Sequence, residues 1–136
     1  TGTCMQELHI DPALMTDAFW DVLAEAANWS RANADVLADT HWIGGDPAQG
    51  LVYGWASWAK RKGILSLRNP CDQPATIAID IAKAFELPAG GAQSYSFRSP
   101  WKQDAAVLPL RLMAGRHHAF ELKPFEVQTF DATPES

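Results

Sequence analysis

Basic residues are in the minority in this sequence. Lys and Arg number 11 against 16 Asp and Glu, a formal net charge of −5 with a pI near 5.2. That balance argues against a nucleic-acid partner or an anionic membrane surface, both of which select clustered positive charge. No uninterrupted apolar run approaches the ~18 residues of a membrane-spanning helix. Cysteine is scarce as well. Cys4 and Cys71 stand far apart, Cys71 in a turn after Asn69-Pro70, and there is no C-x-x-C. A disulfide between them is left open, and with it the redox compartment. His9, His41, His117 and His118 form no H-x-H or H-x-x-x-H pair, so no metal site is expected. There is no G-x-S-x-G nucleophile elbow. Gly44-Gly45 and Gly90-Gly91 read as loop glycines before strands, so neither a phosphate-cradling loop nor a cofactor is expected.

The remainder is ordinary globular material. The 136 residues are 47% hydrophobic and 20% charged, enough for one domain with an appended segment to bury a core without a staple. Thr1 opens the chain without an initiator Met, a basic stretch or an apolar signal core, and excision from a longer polypeptide is the expected explanation.

The chain divides into a helical segment and linker over residues 1–47 and a β domain over 48–136. Asp11-Pro12 predicts a short capped turn. Thr16 reads as the N-cap of a longer helix running to about Ala38, with Asp17 in its first turn. Trp20, Leu23, Ala27, Ala34 and Leu37 form an apolar stripe that must be covered, by one face of a sheet or by a second copy of the chain.

Beyond Gly44-Gly45-Asp46-Pro47 the hydrophobic period changes. Runs at 51–58 and 63–68 flank a hairpin connection at Ala59-Lys60-Arg61-Lys62, and 76–81 alternates with period two. Residues 84–87 either extend that strand or form another. Further runs cover 93–98, 107–112, 118–122 and 125–131. Roughly seven or eight strands at this spacing predict a mainly β fold, an antiparallel β-sandwich with an N-terminal α-helical segment. Leu65, Leu67, Ile77, Ile79, Ile81, Phe97, Leu110, Leu112, Phe120, Leu122 and Val127 are the expected inward residues.

The segments WSRANADVLADTHWIGGDP, VYGWASWAKRKGILSLRNP and FELKPFEVQTFDA resemble the C-terminal end of large bacterial glycoside hydrolases related to the α-galactosidase group. Those enzymes carry a catalytic (β/α)8 barrel followed by an antiparallel sandwich. The resemblance implies that residues 1 to about 40 correspond to the last barrel helix and its approach, and that the sandwich starts near residue 48. It also implies that the missing barrel is a partner and that the family's catalytic acids lie on it, so that none is carried over to this chain; localisation stays open, a secreted or periplasmic parent being compatible with the resemblance. Residue reading agrees on the catalytic acids. Glycoside hydrolysis needs two carboxyl groups about 5–9 Å apart, and the acids here are scattered along the sequence.

The tryptophans carry the candidate site. Flat indole faces grip the C–H faces of sugars. Trp58 beside the basic hairpin, Trp101 in a Pro-flanked loop, and His41-Trp42 are the candidates for a carbohydrate platform. The same rings would serve equally as sandwich core or as the surface facing a barrel. One indole covering ~60 Å² contributes only about 1.5 kcal/mol, short of the ~4 kcal/mol behind a millimolar affinity, so a glycan site needs several contacts. Three functions follow: a non-catalytic accessory domain stabilising the barrel, a carbohydrate-binding module, or a small glycosidase using an Asp/Glu pair.

Overall fold

The structure, a computed structural model, describes residues 9–135; Cys4 lies outside them. Asp11 caps a 3-10 turn at Pro12–Leu14, its carboxylate accepting the Ala13 N–H at 3.0 Å. Thr16 caps helix α1 (Asp17–Ala32), its hydroxyl accepting the Phe19 N–H at 3.3 Å. The helix stops at Ala32 rather than near Ala38. Asn33 leaves helical geometry (φ −115°, ψ 19°) and its side-chain amide donates to the Trp29 carbonyl at 2.8 Å, the local competition that disfavours Asn inside helices. One further turn, α2 (Ala34–Leu37), follows.

Six strands build one antiparallel sheet: β1 (Thr40–Gly44), β2 (Tyr53–Ala59), β3 (Lys62–Arg68), β5 (Ser94–Arg98), β6 (Leu110–Met113) and β8 (Val127–Pro134). Their order is β1-β2-β3-β8-β5-β6. β4 (Ala75–Asp80) and β7 (His117–Leu122) pair antiparallel as a second, two-stranded sheet. The molecule is therefore an antiparallel β-sandwich with an N-terminal helical segment. Residues 40–44, placed by the sequence in the linker, form the edge strand β1, paired from Thr40↔Ser57 to Gly44↔Tyr53. Residues 84–87 are not a strand. Asp80 ends β4 and caps a helical turn, α3 (Ile81–Ala84), by accepting the Ala82 N–H at 2.9 Å. That turn swings Phe85 into the core, where it is 1% exposed.

The main core lies between the sheets. Leu65 and Leu67 from β3, Tyr95 and Phe97 from β5, Leu112 from β6, and Phe120 and Leu122 from β7 are buried together with Ile79, Ile81 and Phe85. Period-two alternation supplies this layer. Ile77 is half-buried against it. Two expected inward residues fall elsewhere. Val127 pairs with Arg68 on the opposite face of the sheet and is 56% exposed. Leu110 sits on the edge strand β6, where no further strand covers it. Gly63 is required by close packing, because a Cβ there would meet the Phe85 ring at 2.7 Å.

Candidate functional site

The face of the six-stranded sheet turned away from the core is built in rows by strand register. The first row is Thr40–Ser57–Ile64–Asp131, the second Trp42–Trp55–Ser66–Thr129, and the third Gly44–Tyr53–Arg68–Val127. Successive rows are about 7 Å apart along the strands, two residues of rise.

The helical segment seats on the first row. Val36 and Leu37 close over Ile64, with Trp29 and Ala59 packed around them. Asp131 anchors the seat, accepting from Lys62 Nζ at 2.7 Å and from Trp29 Nε1 at 3.1 Å. Lys62 also donates to Asn33 Oδ1 at 2.5 Å. Beside it the Trp29 and Trp101 rings meet at 5.4 Å, and the Lys102 N–H donates to Glu25 Oε1 at 2.8 Å. Only the C-terminal half of α1 is held in this way. None of its residues is buried, and Phe19, Trp20 and Val22 are 57%, 41% and 62% exposed. Of the expected stripe, Leu37 is buried, Leu23 and Ala27 are half-buried, and Trp20 and Ala34 are exposed. The stripe is thus not laid across a sheet face, because the chain turns at Asn33 before α2 docks.

The second and third rows carry an aromatic cluster. Trp42 stacks on Tyr53 with centroids 4.9 Å apart and planes 8° from parallel. Trp55 stands edge-on to both, 5.6 Å from Trp42 and 5.4 Å from Tyr53. Trp42 remains half exposed, whereas Tyr53 and Trp55 are half-buried. A shallow open basin of about 550 Å³ adjoins the indole, lined by Trp42, Gly44, Gly45, Asp46 and Pro47. Gly44 permits the turn: its φ is +88°, and a Cβ would lie 2.7 Å from the Val52 carbonyl oxygen. Asp46 fixes the following turn by accepting the Ala48 N–H at 2.9 Å and the Gln49 side-chain amide at 3.3 Å.

The four residues singled out in the sequence are not brought together. Trp42 lies on the outer face. Its neighbour His41 turns to the other side of the strand, half-buried, with Nδ1 3.8 Å from Asp39 and a buried Nε2 that finds no hydrogen-bond partner. Trp58 is half-buried against the main core, and Trp101 is half-buried against Trp29. Sequence reading passed over Tyr53 and Trp55 as partners of Trp42. The signal was the alternation Thr40-His41-Trp42-Ile43-Gly44, which marks a strand able to pair with Tyr53–Ser57.

Several acids are taken up in local structure. Asp80 caps α3, Asp131 anchors the helix seat, Asp104 accepts from the Ser99 hydroxyl at 2.6 Å, and Glu126 accepts the Lys123 N–H at 2.7 Å. Glu135 accepts from Ser94 at 2.8 Å and pairs with Arg111. A second cleft, about 270 Å³, opens between the sheets beside Phe97, Leu108, His118 and Phe130.

No protein-family model and no curated protein sequence matches the chain. Solved structures do. An α-amylase from Anoxybacillus superposes with a TM-score of 0.58 at 10% identity, over 90% of this chain and 24% of the other. A Bacillus halodurans protein described as an α-N-acetylgalactosaminidase gives 0.54 at 15% identity, over 75% and 23%. AmyP in complex with maltotriose gives 0.51 at 13% identity, over 90% and 23%. At these identities the likeness is one of fold. The chain spans about a quarter of the length of these proteins.

Proposed function

We propose that this chain is the non-catalytic C-terminal β-sandwich of a glycoside hydrolase, stabilising a catalytic barrel to which α1 contributes an outer helix. The uncovered apolar side of α1 carries this reading. Phe19, Trp20, Val22, Leu23, Ala26 and Ala27 form one broad arc, of which Leu23, Ala26 and Ala27 are half-buried and Phe19, Trp20 and Val22 exposed. The exposed parts of Phe19, Trp20 and Val22 amount to roughly 250 Å² of apolar surface. Covering it would contribute ~6 kcal/mol gross, before the costs of ordering the interface. A helix held through its C-terminal half, with Phe19, Trp20 and Val22 exposed near its start, fits a partner layer approaching from that side. The solved structures of similar fold support the class of that partner.

The test begins with the coding region upstream of Thr1, which should encode a barrel in frame. Expressed separately, that barrel should co-purify with this chain and gain thermal stability from it. Phe19→Asp combined with Val22→Asp should abolish both effects. An upstream region without a barrel, or a barrel indifferent to the chain, refutes the reading. Light scattering that finds a dimer dispersed by the same double substitution would give α1 to a second copy instead. Turnover of chromogenic glycosides by the chain alone, lost on replacing one Asp or Glu, would make it a small glycosidase.

A further inference from the structure

We propose that the outer face of β1–β2 is a glycan-binding site in which Trp42 is the stacking platform for one sugar ring, Tyr53 and Trp55 hold that platform, and Asp46 in the Gly44–Pro47 turn supplies an acceptor at its rim. The class of ligand rests on the reading of the chain as part of a glycoside-processing enzyme; the site itself rests on geometry.

Three observations converge on it. The indole of Trp42 is half exposed yet braced on two sides, by a parallel Tyr53 ring at 4.9 Å and an edge-on Trp55 ring at 5.6 Å. A side chain so held loses little freedom when a ligand lands on it. Tyr53 stacks on the indole, half of which stays exposed; a flat apolar ring of this kind complements the axial C–H face of a pyranose. The shallow, open basin beside that ring leaves room for a sugar ring to approach the indole. At its rim stands the exposed Asp46 carboxylate, which accepts the Ala48 N–H and the Gln49 side-chain amide and keeps lone pairs for a sugar hydroxyl. Hydroxyl groups need such acceptors around an apolar centre.

The same features separate this patch from the surface offered to a barrel. Protein interface cores are depleted in charge, whereas Asp46 and Arg68, both exposed, border these rings. The patch also lies on the edge strand β1, one and two rows beyond the row that seats the helical segment.

The experiment titrates the whole chain with maltohexaose and, separately, with a galactose-based oligosaccharide to about 20 mM, following the tryptophan indole N–H resonances. A saturable shift of the Trp42 signal with at least one glycan is expected, with a millimolar dissociation constant. Trp42→Ala should weaken binding at least tenfold, and Trp42→Phe, which keeps a smaller ring, should weaken it less. Trp20→Ala, on the exposed side of α1, should leave it unchanged. No shift with either glycan, or a shift that survives Trp42→Ala in a folded protein, overturns the site. A Trp42 signal silent to sugars but shifted by the separately expressed barrel assigns the rings to the domain interface, and also overturns it. Neither failure touches the accessory-domain reading, which stands or falls on the Phe19/Val22 substitutions.

Discussion

Replacing Asp131 with Ala removes one carboxylate shared by donors from two different elements. Its Oδ2 accepts from Lys62 Nζ at 2.7 Å and its Oδ1 from Trp29 Nε1 at 3.1 Å. The Lys62 and Asp131 side chains are 27% and 26% exposed. A fully exposed ion pair contributes at most ~1 kcal/mol, and a buried one broken on one side costs ~3–5 kcal/mol. This pair lies between those limits, and Lys62 keeps Asn33 Oδ1 as a second acceptor. The expected loss is therefore ~2 kcal/mol. It should be local, because both donors serve to hold the helical segment on the first row of the sheet. Trypsin should then cut at Arg31, which is exposed near the end of α1, well before the sheet unfolds in urea. Asp131→Asn retains an acceptor for the Trp29 N–H and should recover part of the loss. High salt should narrow the gap between wild type and variant, as it does for any partly solvated pair. A D131A protein within ~0.3 kcal/mol of wild type, with unchanged proteolysis at Arg31, would refute the claim that this carboxylate anchors the helix.

Phe97→Ala empties a site 1% exposed between Phe85 and Phe130, and thermal denaturation should register a loss of ~3–5 kcal/mol. Gly63→Ala forces a Cβ to within 2.7 Å of the Phe85 ring and should cost ~1–3 kcal/mol, relieved in part by adding Phe85→Leu. Arg111→Ala breaks a 2.6 Å contact with Glu135, yet Arg111 is 68% exposed. Its urea midpoint should therefore move by less than the equivalent of ~0.5 kcal/mol.

The sandwich was legible because its central strands alternate cleanly. Ile77 and Ile79 in β4 face only Thr76, Ala78 and Asp80 on the other parity, and Leu65 and Leu67 in β3 outnumber the single Ile64 there, so period two orients them. β8 lacks that contrast. Val127, Thr129 and Asp131 share one face, Gln128, Phe130 and Ala132 the other, and Val127 at the strand's start misleads a reader who weighs it as core. Residues 84–87 failed for a different reason. Nothing in Ala84-Phe85-Glu86-Leu87 opposes a strand. What ends β4 is Asp80, whose side chain accepts both the Ala82 N–H and the Gly115 N–H at 2.9 Å. The second of these donors is 35 residues away, beyond the reach of any local pattern. β1 is hidden in a similar way. Five residues after a helical segment become a strand only because β2 offers an edge.

The candidate site was obscured by the same edge. Alternation separates Trp55 from Trp58, but β2 carries rings on both faces, so its sequence does not say which face is interior. The second sheet decides it: Ile79 and Phe120 lie across the core with Ala56, and Trp58 packs on that side. That leaves Tyr53 and Trp55 outside, with Trp42 brought to them by a register that exists only once β1 is recognised. The outer face of the sandwich is then divided. Its first row is filled from within the chain by Val36 and Leu37 on Ile64, and this fixes α1 with its apolar arc turned outward. Its second and third rows keep braced aromatics beside exposed charge. The helical segment seats on the first row through Trp29, Val36 and Leu37, whereas Trp42 in the second row stacks on Tyr53 in the third, so substitutions at Phe19 and Val22 should leave the indole stacking intact, and substitutions at Trp42 should leave the helix seat intact. Two surfaces that can be disabled independently allow the barrel reading and the glycan proposal to be tested separately.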